Sequence, residues 1–305
     1  MTFADFPTVE HTLESMLPLG LTLSMQNYQR EELRQTVSRR SPLVYHAAIE
    51  AHRIKRSGEN IFRSFASTKA PYFSSVLARH QSLLMKKLGE NNEELQRQKI
   101  QNLQIAADAL DGVVIQPGQE LSVWNLIGRP NARRGFVPGM LLSRGKVVSG
   151  VGGGLCQMGN LLHWMFLHAP VKIVERYHHS YDVFPDSGRV LPFGSGATLF
   201  YNYVDLVIKN TSDVPLQLKV WLTESHLKGQ ILTEVPFAEK IKVREENHLF
   251  LSWKGKWFRY NELYRETYIQ GVLQQRTLAL KNFAPVLYEV DPEVLRGMGY
   301  RIETI

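Results

Sequence analysis

A single cysteine in 305 residues excludes an intramolecular disulfide and any zinc site built on paired cysteines. Long apolar runs are missing too. The most apolar stretch, LLHWMFLHAPVKIV (161–174), is interrupted by His163, His168 and Pro170 and is too short and too polar to cross a bilayer. The N-terminus places Asp5, Glu10 and Glu14 where a secretory leader carries Lys or Arg, so no signal peptide is read and a soluble cytoplasmic protein is the expectation. A dense basic stripe is absent, as is any RNA or DNA motif. The formal charge of +7 is spread among acids, which argues against nucleic acid and suits a solvated surface with some attraction for anions. Neither internal repeats nor low-complexity segments occur.

What is present is an ordinary globular composition, 44% hydrophobic and 21% charged, in a chain long enough for one large domain or two smaller ones. Residues 1–100 read as a helical N-terminal region. Apolar residues recur at three- and four-residue intervals over 43–56 and 75–110, with a break expected near Gly89–Asn92. Beyond residue 110 short β-rich runs alternate with turn signals such as Pro117-Gly118. Strands are expected at 144–150, over VKIVERYHHS (171–180), ATLFYNYVDLVIKN (197–210) and VPLQLKVWL (214–222), with a helix from Cys156. The tail reads as a meander turning at Lys254-Gly255 and near Gly271. The expected fold is α+β: a helical region over 1–100, a core domain over 101–235 with a mainly antiparallel sheet and a cysteine-bearing helix, and a β-rich extension over 236–305.

The stretch GVGGGLCQMGNLLHW (150–164) carries the chemistry. A glycine loop entering a helix suggests phosphate binding, but no Gly-Lys-Ser/Thr follows, and Leu155 stands where a dinucleotide fingerprint needs its third glycine. Arg144, Lys146 and Arg176 are the basic groups that such a site would draw on. A thiol at a helix start lies in the positive field of the helix dipole, which lowers its pKa. On that reading Cys156 is a nucleophile. Gly152, Gly153 and Gly154 admit a substrate carbonyl, and their N–H groups, with the Gln157 amide, stabilise an oxyanion. His179 is the candidate base and Asp205, or Asn202, its orienter. Cysteine at a helix start followed by histidine and an acid on successive strands is the layout of papain-like and transglutaminase-like thiol enzymes, by analogy only. A structural reading makes Cys156 a small buried hydrophobe and the glycines a device for close helix–strand packing, and a binding reading makes the glycine loop with Tyr177, Tyr201 and Tyr203 a recognition surface. His163 and His168 are expected to pack or cap, and no metal or cofactor is expected.

Taken together, GGGLCQMGNLLHWMFLHAPVKIVERYHHS, NLQIAADALDGVVIQPGQELSVWNLIG and VDLVIKNTSDVPLQL resemble the VanW family, from about Asn102 to Trp221. The tail, with NELYRETYIQGVLQQRTLALKN, is similar to the antiparallel extension of the family's namesake. The family's Gly-Gly-Gly-x-Cys-Gln core falls on Gly152, Gly153, Gly154, Cys156 and Gln157. Its Glu-Arg-x-x-His piece falls on Glu175, Arg176 and His179, and its Asp-Leu-x-x-x-Asn piece on Asp205, Leu206 and Asn210. This chain has Gly196 where the family often has aspartate, which removes one candidate orienter for the histidine. The resemblance implies a link to glycopeptide resistance or the cell envelope without assigning an activity. Two readings follow from it: a cysteine-dependent acyl-transfer or amide-hydrolysing enzyme, and a non-enzymatic binding or scaffold protein. In both, the ligand is a small molecule or peptide, with a peptidoglycan precursor the expected source.

Overall fold

A computed structural model describes residues 18–33, 42–85, 93–143, 146–178, 180–183, 185 and 190–305. Two helices, α1 (Leu19–Leu33) and α2 (Pro42–Ile61), precede a strand β1 (Ser75–Leu83) and a long helix α3 (Glu93–Leu110). Glu93 and Glu94 in the first turn of α3 sit favourably at the positive end of its dipole. Short elements follow: β2 (Val114–Ile115), β3 (Glu120–Ser122), α4 (Val123–Ile127), β4 (Pro138–Ser143) and β5 (Lys146–Val151). Then come α5 (Cys156–Leu167), β6 (Val171–Glu175), β7 (Val207–Asn210), β8 (Leu216–Leu222) and β9 (His226–Thr233). The tail is β10 (Glu239–Trp253), β11 (Lys256–Ile269), β12 (Val272–Pro285), α6 (Pro292–Gly297) and β13 (Arg301–Thr304).

The fold is mixed α+β. Among the described residues the strands pair as β1-β9-β8-β2, as β3-β7-β6, as the hairpin β4-β5, and as β12-β11-β10-β13, antiparallel throughout except for β10 with β13. Helix α5 is the centre of the first core. Leu161, Leu162, Met165 and Phe166 of α5 join Leu103, Ala106 and Leu110 of α3 and Leu216, Leu218 and Ile231 of the β8-β9 pair in one buried cluster. A second, smaller core lies in the tail, where Leu21, Met25 and Tyr28 of α1 cover Leu251, Trp253, Phe258 and Tyr260. The tail hairpins turn where expected. Lys254-Gly255 and Gln270-Gly271 both have positive φ at the two central residues, the twist-matched geometry of tight hairpins.

Three expected elements differ, the first being the strand expected over 171–180, which ends at Glu175. The helix expected over 75–110 is a helix only from Glu93; residues 75–83 form β1, which pairs in register with β9, Ser75 opposite Thr233 and Leu83 opposite His226. The segment is rich in helix formers, but it is an edge strand with one half-buried face. Its period-2 signal is therefore faint, and pairing to β9 overrides propensity. The strand expected over 197–210 shrinks to Val207–Asn210, because Phe200 and Val204 bridge each other across a tight turn at 201–203 with Asn202 at φ +50°. Tyr201, Tyr203 and Asp205 therefore do not share a strand face.

Phe258 is stacked on Phe283 with ring centroids 5.0 Å apart, and Tyr28 meets it edge-on at 5.1 Å. Phe258→Ala should destabilise the tail by about 3–5 kcal/mol. Hydrogen exchange should show protection lost in α1 and β10–β12 while α5 keeps its own.

Candidate functional site

The glycine turn is built by close approach of backbones. A Cβ on Gly153 would lie 2.1 Å from the carbonyl carbon of Gly139 on β4, where real side chains never come. Gly152 and Gly154 have φ of +79° and +92°, and Cβ atoms there would run into Pro130 and Lys99. Asn102, fully buried on α3, clamps the contact. Its Nδ2 donates to Gly153 O at 2.9 Å and to Val137 O at 3.0 Å, and its Oδ1 accepts from Val137 N–H at 2.9 Å. The three glycine amides are all engaged: Gly152 N–H with Val137 O, Gly153 N–H with Gly150 O, and Gly154 N–H with Met140 O. These amides therefore hold the turn together and are not directed at a ligand.

Cys156 opens α5 just beyond the turn and is partly buried against the core. Its thiol donates to Leu199 O at 3.7 Å, and Sγ accepts from Leu199 N–H at 3.5 Å. Burial pushes the thiol pKa up, and the hydrogen bonds to the Leu199 and Cys156 backbone oppose this only in part. The net shift is upward, contrary to the expectation from the dipole, because desolvation of a thiolate here outweighs these backbone bonds. Gln157 reaches away from Cys156, donating to Ser82 Oγ at 3.0 Å and Leu83 O at 2.7 Å, which braces α5 on β1. His179 lies outside the described residues, as does Arg144, so neither a Cys156–His179 pair nor the papain-like layout gains support. Lys146 begins β5.

Asp205 is fully buried and its oxygens are occupied. Oδ1 accepts from Trp124 N–H at 3.1 Å and Leu206 N–H at 2.8 Å, and Oδ2 accepts from Ser122 Oγ at 2.5 Å. Ser122 in turn caps α4, so the carboxylate joins β3, α4 and the start of β7. Burial raises its pKa to about 6, opposed by Ser122 and by Arg56, whose Nη2 is 3.5 Å away. Arg56, from α2, also grips Glu175 with two hydrogen bonds of 2.7 and 2.5 Å, and Glu175 Oε1 accepts from Asp205 N–H at 3.0 Å. Sequence reasoning missed Arg56. Its position on an amphipathic helix gives no sign that two distant carboxylates converge on it. Asn102 did leave a signal, an amide on the apolar face shared by Leu103, Ala106 and Leu110.

Arg176 donates through Nε to Gly196 O at 2.9 Å, and through Nη2 to Gly196 O at 2.8 Å and to Gly194 O. Desolvation lowers its pKa to about 10. Gly196 admits Asn160: a Cβ there would sit 2.2 Å from Asn160 Oδ1, which accepts from Ala197 N–H at 2.9 Å. The loop therefore has an amide from α5 where an aspartate at 196 would stand. Near Cys156 in sequence, His163 is fully buried. Its Nδ1 lies 2.6 Å from Ser195 O, so that nitrogen carries the proton, and Nε2 has no partner. Burial, aided by the Arg176 charge, lowers its pKa to about 3.

Beside Glu175 a cleft of about 220 Å³ opens between α2 and the core. Tyr177 and Tyr203, both exposed, line it with His52, Lys55, Arg56 and Glu175. Asn202 anchors it, donating to Arg53 O at 2.9 Å and Ser57 Oγ at 2.8 Å. Tyr201 faces elsewhere, edge-on to Trp124 at 5.5 Å. Among the described residues no group of three or more His, Cys, Asp or Glu converges on a metal position, and no helix is long and apolar enough to cross a membrane.

Residues 98–232 match the family model described as VanW like protein. Over 170 residues the chain is 31% identical to the Vancomycin B-type resistance protein VanW of Enterococcus faecalis (strain ATCC 700802 / V583), covering 56% of this chain and 62% of that protein. Over 118 residues it is 27% identical to the Uncharacterized protein YoaR of Bacillus subtilis (strain 168), covering 39% of this chain and 37% of YoaR. The chain thus spans less than two thirds of the length of each of these relatives. No solved structure matches it.

Gly153→Ala should destabilise the protein by about 3 kcal/mol or more, since the clash is with backbone that cannot rotate away; thermal unfolding reads this directly. His163 contributes a pH dependence of defined sign. The unfolded chain takes up its proton below pH 6.5 and the native state only near pH 3, so stability is lost as pH falls through that window, by on the order of 5 kcal/mol in all. Asp205 acts oppositely between about 6 and 3.8, where the native state binds the proton more tightly. The difference between wild type and His163→Gln, measured by denaturant unfolding from pH 7 to pH 3, isolates the histidine and should shrink as the pH falls.

Proposed function

On the premise that residues 98–232 make this chain a member of the VanW family, we propose that it binds a cell-envelope ligand in the cleft between α2 and the core, and does not attack that ligand with Cys156. The observation that carries this reading is the engagement of the glycine turn: its three amides bond to carbonyls within the turn and on the β4 side, and the thiol is held between the Leu199 amide and carbonyl. An oxyanion site needs amides that are free when the substrate arrives. The cleft, by contrast, offers exposed tyrosine faces beside groups of both charges, a surface suited to a sugar or peptide carrying charged groups. The named relative ties the family to vancomycin resistance. Peptidoglycan precursors, part of whose synthesis is cytoplasmic, are therefore the ligands to try, with this protein acting as an accessory binding or scaffold module in glycopeptide resistance or envelope metabolism.

The test uses the full chain, titrated with soluble peptidoglycan precursors, and a host strain scored for glycopeptide susceptibility. Tyr177→Ala with Tyr203→Ala should weaken binding by about tenfold or more, and Cys156→Ser should bind and complement as wild type does. In the native protein Cys156 should react with iodoacetamide far more slowly than in the unfolded chain. A folded Cys156→Ser protein that loses cellular function, together with rapid labelling at mildly acidic pH, would overturn the reading in favour of a thiol enzyme.

A further inference from the structure

A further cavity is remote from the glycine turn. It measures about 470 Å³ and lies between the corner after α5, at Pro170 and Val171, the turn after β7, at Thr211–Asp213, and one face of the β10–β12 meander. Strand register accounts for that face. Arg265 on β11 is opposite Thr277 on β12, and Thr267 on β11 is flanked by Ile241 on β10 and Gln275 on β12. Residues two apart on a strand point the same way, so these five side chains form a patch two rows deep. The volume falls within the range of about 300–1,000 Å³ that small-molecule sites occupy.

Among the described residues Arg265 is the only cation lining this cavity, and no carboxylate partner holds it. Its Nη1 donates to Val171 O at 3.2 Å and its Nη2 to Ala169 O at 2.6 Å, while Nε is buried without a partner. Among the described residues no carboxylate pairs with it. A guanidinium has five N–H donors in a fixed fork, so a second N–H on each Nη is left beyond these two bonds, while the Nε–H is enclosed. Desolvation lowers its pKa, the direction expected for a charge removed from water and not neutralised. The neighbouring groups are hydroxyls and an amide: Ser212, Thr211, Thr267, Thr277 and Gln275. Two acids, Asp213 and Glu239, also line the cavity. They oppose every anion, a multiply charged one most strongly.

We infer that this cavity is a binding site for a small monocarboxylate bearing hydroxyl or amide groups, with the carboxylate on Arg265 and the polar groups along Thr267, Gln275 and Thr277. Acidic sugars and the C-termini of short peptides share this chemistry. The site stands apart from the tyrosine cleft and does not depend on the function proposed for it. The constellation is assembled by the tail, outside the family-matched residues 98–232, except for Pro170, Val171 and Thr211–Asp213.

The experiment titrates the full chain by calorimetry with glucuronate against glucose, and with N-acetyl-Ala-Ala against its C-terminal amide; inorganic phosphate tests charge selectivity. Expected are binding of one or both carboxylates, no binding of glucose or the amide, and weak or no binding of phosphate. Which carboxylate binds more tightly identifies the source. Arg265→Gln should reduce carboxylate affinity by about tenfold or more, while Asp213→Asn with Glu239→Gln should raise it severalfold. The second variant leaves the brace of Arg265 on Ala169 and Val171 intact, so it decides the matter even where Arg265→Gln fails to fold. Equal binding of charged and neutral probes, no binding of either carboxylate, or an affinity unmoved by removing Asp213 and Glu239 would overturn the site. Loss of binding on Tyr177→Ala with Tyr203→Ala would also overturn it, by assigning the carboxylate to the other cleft.

Discussion

Gly153 meets Gly139 backbone to backbone, and Asn102 holds both flanking carbonyls with one buried amide. That contact sets the separation of the β4-β5 hairpin from the start of α5 and from α3. With a Cβ at either glycine the hairpin would have to lift away, and α5 would lose the floor on which its first turn rests. The orientation of α5 in turn decides which residues reach β1, through Gln157, and which pack under β9. A pair of glycines and one asparagine thus fix how the hairpin meets α5 and α3 beside the first core. Burial supplies the driving force, but close backbone approach selects the arrangement.

Buried charge is the second organising theme. Arg56 draws Glu175 and Asp205 together, so α2, which lies before the family-matched segment, is fastened to that segment by charge-assisted hydrogen bonds and by Arg53 donating to Tyr201 O at 3.1 Å. Breaking one member of such a cluster leaves the others buried and uncompensated, which is why these contacts specify one docking geometry. Arg176 and Arg265 are held differently. Both are anchored by backbone carbonyls and neither pairs with a carboxylate among the described residues. Arg176 closes a loop over α5, whereas Arg265 faces a cavity with room for a ligand, and that difference in surroundings separates a structural cation from a receptive one.

The hairpins of the tail were legible in the sequence because Lys254-Gly255 and Gln270-Gly271 state a local conformational preference that nothing distant overrides. Helix α5, its start at Cys156 and the strands β6 and β8 were legible for the same reason. The glycine triplet correctly announced a tight turn. Its neighbours were not legible: Gly139 lies fourteen residues before Gly153 in a different element, and no local rule says that its carbonyl will occupy the space above Gly153. Residues 75–83 read as helix because their propensities are helical, while the hydrogen-bonding partner that makes them a strand lies about 150 residues away.

By itself the sequence determined the class of fold, the resemblance carried by residues 98–232, the position of the turn and the candidate side chains, since each depends on residue type and short spacing. Tertiary structure alone decided what those side chains do. It engaged the glycine amides, raised the Cys156 thiol by burial, tied Asp205 to Ser122 and Arg56, and left Arg265 facing a cavity with no carboxylate partner among the described residues. The physical reason is that pKa, donor availability and steric room depend on what the folded chain brings within a few ångströms, and those partners come from segments whose separation along the chain carries no local signal.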